Sequence, residues 1–274
     1  MQIVFGFQNI LMVLFLCSIT SSSFASELPT ASIPSLKIMI DPGHGGSDAG
    51  AVYGSAKESE IALKVAQQLK ALLEKNPGFA ATLTRTADKN LSLTERVHLA
   101  EAQKADLFLS IHANASPDQR ARGAEFYFQN HLPPDEESLF LANAENQIVK
   151  ETDSAVPEDM SKKSDVRAII EDLKRNTKMR SSFALSEKLL KNWNPGINSA
   201  QAKRESRNIR QAPFFVISKT TIPSVLVELG FISNPKESQR LIQPDYQKEI
   251  AQKIYRGLRD YKEMVDKSEV GRLH

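Results

Sequence analysis

Three short, mostly apolar runs, at residues 36–40, 107–111 and 225–229, constrain the fold of this chain more than any other feature. None alternates apolar and polar residues along its whole length, and each is shorter than a typical core helix. Runs of this kind are expected as strands buried on both faces, as in a mostly parallel sheet covered by helices. Between them lie segments of helical period. Ile61, Val65, Leu69 and Leu72 form one apolar stripe, Ser92-Leu93-Thr94-Glu95 has the form of a capping box, and Ile250, Ile254 and Leu258 mark a final helix. Asn234-Pro235 reads as the cap and first turn of another. Further strands are expected at 81–85, 123–128 and 214–218. The alternation predicts an α/β fold: a single domain with a twisted, mostly parallel sheet of about six strands and helices on both faces.

That domain is expected over residues 36–266, with a helical insertion at 132–179. The insertion is acidic, carries Pro133, Pro134 and Pro157, and predicts helices near 136–150 and from 165 to 193. About 250 residues are ample for one core. Residues 267–274 read as a tail and 26–35, with Pro29 and Pro34, as a linker.

Residues 1–25 read as a signal peptide. The apolar run at 10–17 is too short to span a bilayer but suits a signal core, and Ser23-Phe24-Ala25 has small-x-small form. The first 36 residues lack Lys and Arg, so the usual positive start is missing and an uncleaved anchor is the alternative. Leu16 is too bulky to precede a lipidated Cys17. With the signal removed no cysteine remains, so any metal must sit on histidine and carboxylate. A net charge of +2 without a basic stripe makes no case for nucleic acid, and the chain is expected to act as a monomer.

Ligands of open parallel sheets bind beyond the carboxyl ends of strands. Here the first run is followed by Asp41 and His44, the second by His112, and the third contains Glu228. Ionisable groups are costly to bury unless paired or metal-bound, so three strand ends point to one shared site. Catalytic zinc takes three N or O ligands and leaves a position for water. His44, His112 and a carboxylate meet that count, with Glu58 as the candidate after a short chain reversal. Taken alone, Glu58 reads more readily as a helix cap than as a ligand, because Ser55-Ala56-Lys57-Glu58 has capping-box form and such caps are common. His44 lies among Gly43, Gly45 and Gly46, where backbone can approach a ligand closely, and no P-loop Lys-Ser/Thr follows. His112 reads as a ligand or as a satisfied core histidine. His98, His131 and His274 lack comparable contexts. Glu228, inside an apolar strand, either pairs with an arginine or has a raised pKa useful for proton transfer. Asp41 reads as a carboxylate orienting a histidine ligand, or as a turn residue before Pro42.

Several blocks together resemble the zinc-dependent N-acetylmuramoyl-L-alanine amidases of the amidase-3 family. They are Ile38-Met39-Ile40-Asp41-Pro42-Gly43-His44-Gly45-Gly46, Lys57-Glu58, Leu93-Thr94-Glu95-Arg96, Ser110-Ile111-His112-Ala113-Asn114-Ala115, Gln211-Ala212-Pro213-Phe214-Phe215 and the segment from Pro223 through Glu228 to Asn234. The resemblance implies Zn2+ held by His44, Glu58 and His112, with Glu228 as general base. It implies hydrolysis of the bond between N-acetylmuramic acid and L-alanine in peptidoglycan, and export, to the periplasm. Gram-negative periplasmic members carry an extra segment where this chain has its insertion, and there it can cover the site until an activator protein displaces it. Glu136, Glu137, Glu145, Glu151 and Glu158 are the candidates to supply a carboxylate to the open metal position, and spacing does not choose among them. A solvated helical elaboration is the other reading. A silent wall-binding protein, or a zinc peptidase cutting elsewhere in the stem peptide, are the rival functions.

Overall fold

The structure is a computed structural model that describes residues 35–147, 165–194 and 208–270. The expected signal peptide, nearly all of the linker, residues 148–164 of the insertion with Glu151 and Glu158, and His274 lie outside the described residues.

A six-stranded sheet forms the middle layer. Its strands are β1 (Leu36–Pro42), β4 (Phe79–Leu83), β5 (Leu107–Asn114), β6 (Glu125–Phe128), β7 (Ile209–Gln211) and β8 (Ser224–Phe231), in the order β4-β1-β5-β8-β6-β7. All neighbouring pairs are parallel except β6 and β8. A separate hairpin pairs β2 (Val52–Tyr53) with β3 (Ala56–Lys57).

Burial follows the expectation from the apolar runs. Every residue of β5 and β8 is buried, and successive residues feed opposite faces. Leu107, Leu109, Ile111, Val225, Val227 and Leu229 face one core, with α1 (Glu58–Leu73), the C-terminal half of α4 (Asp165–Trp193) and α7 (Pro244–Val270). Phe108, Leu226, Met39 and Tyr127 face the other, with α2 (Leu93–Ala102) and α5 (Phe215–Lys219). Helices therefore cover both faces. Among the described residues, no helix is long and apolar enough to cross a membrane.

The chain leaves β1 for β4 on one side, then crosses back by α2 to β5 on the other. The carboxyl ends of β1 and β5 thus diverge into a crevice, the place where open α/β sheets bind ligands.

Four expectations need correction. The run expected as a strand at 214–218 instead forms the cap and most of α5: a short apolar run suits either state, and here the Phe215 N–H is capped by the Asn146 side chain, 2.8 Å away. The sixth strand is β7, a three-residue edge that carries no apolar pattern. The Ser55-to-Glu58 pattern is not a capping box, because Lys57 is the N-cap of α1 and makes no side-chain cap bond. The final helix runs to Val270, so the first half of the supposed tail is helical. By contrast the Ser92/Glu95 capping box and the Asn234 cap with Pro235 behind it both form.

In the insertion, α3 (Glu136–Asn146) follows an Asp135 cap. The first part of α4 is exposed at Ile169, Ile170 and Leu173, and burial begins at Lys178.

Candidate functional site

The loop after β1 leaves the sheet with His44 in the left-handed region at φ 55°, a conformation that non-glycine residues adopt at a cost. Two buried arginines hold it there. Arg96 donates to the carbonyls of Pro42 (2.7 Å) and His44 (2.8 Å), and Arg85 to those of Pro42 (3.0 Å) and Gly43 (2.8 Å). Asp41 anchors this frame: its carboxylate accepts from Arg96 and Thr84 through Oδ1 (2.8 and 2.6 Å) and from Ser110 through Oδ2 (2.9 Å). Burial pushes the Asp41 carboxyl up, but Arg96 and Thr84 outweigh it and hold it below the usual carboxylate range. Among the described residues Asp41 makes no hydrogen bond to a histidine. The carboxylate on a ring is Asp48, whose Oδ2 lies 2.7 Å from His44 Nδ1.

The β2–β3 hairpin is the chain reversal that returns Glu58 to His44, with the Glu58 N–H donating to Ala51 O. The Glu58 side chain is 2% exposed and turns away from its own helix end: Oε2 accepts from Ala51 N (2.9 Å) and Oε1 from Ala113 N (3.0 Å). His112 enters from the end of β5, its Nδ1 2.9 Å from Glu58 Oε1. Two glycines make the space. A Cβ at position 43 would stand 2.4 Å from the His112 ring, and one at position 50, where φ is 65°, would stand 2.6 Å from Glu58 Oε2 and 2.7 Å from His44.

A fourth group arrives from α3. Glu145 Oε2 lies 3.3 Å from His44 Nε2 and 3.5 Å from His112 Nδ1. One donor atom from each of His44, Glu58, His112 and Glu145 falls within 4.8 Å of all the others. Glu58 Oε1 is 3.2 Å from His44 Nε2, so four of the separations run from 2.9 to 3.5 Å. Adjacent donors on one ion with ligand bonds of about 2.0–2.1 Å lie about 3 Å apart. His44 Nε2 is buried without a hydrogen-bond partner among the described residues. Two imidazole nitrogens and carboxylate oxygens at this spacing, one of them orphaned, fit a divalent ion.

Glu228 stands beside the cluster, opposite His112 in the β5–β8 register and opposite Glu125 in the β6–β8 register. It is 1% exposed, and its Oε2 also lacks a hydrogen-bond partner among the described residues. Burial, and then the negative charges of Glu58, Glu145 and Glu125, push its carboxyl well above the ordinary range. No arginine pairs with it among the described residues. Burial also pushes Glu58 up, but His44 and His112 outweigh it and hold it low.

Of the other insertion carboxylates, Glu136 is exposed, while Glu137 lies 2.6 Å from Arg210 on β7. His98 and His131 are exposed. Sequence reasoning missed Asp48, Arg85 and the roles of Arg96 and Arg210. The i,i+4 spacing of His44 and Asp48 was the available signal for the first.

Residues 38–260 match the amidase-3 family, described as N-acetylmuramoyl-L-alanine amidase. The chain is 33% identical over 226 residues to the N-acetylmuramoyl-L-alanine amidase AmiA of Escherichia coli, covering 82% of this chain and 75% of that one. It is 34% identical over 256 residues to the probable N-acetylmuramoyl-L-alanine amidase AmiB of Haemophilus influenzae, covering 91% and 56%. The solved structure of the amidase AmiC2 of Nostoc punctiforme superposes with a TM-score of 0.53 at 28% identity, covering 82% of this chain and 96% of that one. A family match over most of the chain, with its motif residues gathered at one strand-end crevice, places the protein in the amidase-3 family of N-acetylmuramoyl-L-alanine amidases, a family of hydrolases.

Proposed function

We propose that the protein is a zinc-dependent, periplasmic hydrolase that cuts the amide bond between N-acetylmuramic acid and L-alanine in peptidoglycan, for wall remodelling or daughter-cell separation. We further propose that its insertion keeps it inactive. The observation that carries the reading is the clustering of one donor atom each from His44, Glu58, His112 and Glu145 within 4.8 Å of one another, beside the buried Glu228.

His44, through Nε2, Glu58 and His112, through Nδ1, would hold the ion. When bound, zinc supplies Lewis-acid polarisation of the scissile carbonyl and lowers the pKa of water towards ~7. Asp48 keeps the His44 ring oriented with Nε2 inward. Glu228, buried beside the cluster with Oε2 unpartnered among the described residues, takes the proton of the attacking water and returns it to the departing L-alanine nitrogen. Glu145 occupies the fourth position, where water and substrate would otherwise enter, and so supports an autoinhibited state relieved by an activator. The exposed apolar side chains of Leu139, Phe140, Ile169, Ile170 and Leu173 around the insertion support a protein partner for that step. The apolar run at 10–17 supports export, with residues 1–25 as signal peptide and 36–266 as the catalytic domain.

Digestion of purified sacculi, read by mass spectrometry, tests the reaction. The expected products are whole stem peptides with a free L-alanine amine, lost with chelator and restored by zinc. Cleavage elsewhere in the stem peptide would show a peptidase instead.

A further inference from the structure

We propose that Arg210 anchors a carboxylate of the substrate's stem peptide, and that Glu137 of the insertion fills this anchor until α3 leaves; the inference rests on the amidase reading above. Besides Glu145 and the apolar packing of Leu141 and the buried Ala142, polar contacts at two places fasten α3 to the domain. Asn146 at its end donates to Pro213 O (3.0 Å) and accepts from Phe215 N (2.8 Å), and Arg210 Nη2 donates to Glu137 Oε2 (2.6 Å), with Asp135 Oδ1 3.5 Å away. Of the groups docked by α3, Glu145 thus meets the reaction centre and Glu137 meets a cation.

Arg210 is built to keep its place without α3. Its Nη1 donates to Glu125 Oε1 (2.9 Å), and Asn114 and Tyr127 both donate to Glu125 Oε2 (3.0 and 2.8 Å). Glu125 in turn lies opposite Glu228 on the neighbouring strand. One arm of the guanidinium fork is therefore fixed to the sheet beside the reaction centre, and the other arm faces the insertion. The Arg210 side chain is 19% exposed, whereas that of Glu137 is 64% exposed. A pocketed guanidinium with a solvent-screened partner exchanges that partner readily for another planar carboxylate.

The spacing suggests which carboxylate. Glu137 and Glu145 are eight residues apart on one helix, about 12 Å along its axis at about 1.5 Å per residue. Extended peptide covers about 3.3–3.6 Å per residue, so 12 Å is a little over three residues. With the cut bond at the Glu145 position, a carboxylate carried on the third residue of the stem peptide reaches Arg210.

The test uses full-length protein with Glu137→Gln and Glu145→Ala, which free the anchor and the reaction centre together, and the further change Glu228→Gln, which slows turnover. The probes are N-acetylmuramoyl tripeptides whose third-residue carboxylate is free or amidated. The amidated peptide is expected to bind about 10- to 100-fold more weakly, the size of one hydrogen bond to a charged group. Adding Arg210→Gln should abolish the difference, and Arg210→Lys should restore part of it. Equal binding of the two peptides by the protein that retains Arg210 overturns the proposal, and that comparison needs no change at Arg210. Turnover in the Glu228 protein separates the two readings. Cleavage at a different bond sinks the amidase reading while the binding difference stands, and cleavage at the expected bond with equal binding sinks this one.

Discussion

Asp48 Oδ2 lies 2.7 Å from Nδ1 of His44, four residues earlier, and so turns the other nitrogen of that ring inward, towards Glu58 and Glu145. Outer partners of this kind fix the tautomer and raise the basicity of a ligand. Replacing Asp48 by Asn should weaken metal retention by about 10- to 100-fold while leaving the fold intact. Competition against a graded chelator, with circular dichroism as control, measures it. Unchanged retention would remove Asp48 from the site.

Glu228→Gln should retain metal and fold but lose about 10²- to 10⁴-fold in turnover, the usual contribution of positioned proton transfer. Muropeptide release and metal content, measured on one preparation, check both halves. Near-normal release refutes the base assignment.

Glu145→Ala should raise basal turnover without any added partner. Minor states of two-state proteins are populated at about 0.1–10%, so the gain expected is about 10- to 1000-fold. A deletion of 133–159 should act in the same direction. Unchanged or lower activity in both proteins counts against an autoinhibitory insertion.

Asp41→Asn should destabilise the protein by about 3–5 kcal/mol, because Arg96 is left buried without its charge partner. The sign of the pH dependence follows from the lowered Asp41 carboxyl. Below its unfolded value of about 3.9 the unfolded chain binds more protons, so stability falls as pH drops through the folded value and is fully present above about pH 5. Urea midpoints from pH 7 down to pH 3 should show this limb in the unsubstituted protein and a flatter one in Asp41→Asn. Parallel curves would show that Asp41 carries no such linkage.

Much of the site could be read from the chain because strand ends and apolar runs are local features. His44, His112 and Glu228 each follow or interrupt such a run, and the topology then brings those ends together. What could not be read depended on contacts between segments. Asp41 has the same neighbours in sequence whether it orients a ring or anchors Arg96, and only the return of α2 across the sheet decides for Arg96. Phe214 to Ser218 carry an apolar run that suits strand or helix, and the deciding cap comes from Asn146, sixty-nine positions away. Among the acidic residues of the insertion, spacing gives the helix face but not the docking angle, so Glu145 could not be singled out. The edge strand β7 is three residues long and partly exposed, too little to leave a pattern.

Glu145 is at once the last acidic residue of α3 and one of the four clustered donors, so release of that helix, as proposed, and occupancy by an ion would share a single equilibrium. If an ion strengthens the docking of α3 through that donor, then whatever peels α3 away must loosen the ion by the same factor, since linkage between binding sites is reciprocal. Zinc scarcity and the arrival of an activator would thus push the helix in the same direction. An awakened molecule would hold its metal less tightly than a dormant one, so the dormant form would also serve as the form that stores it.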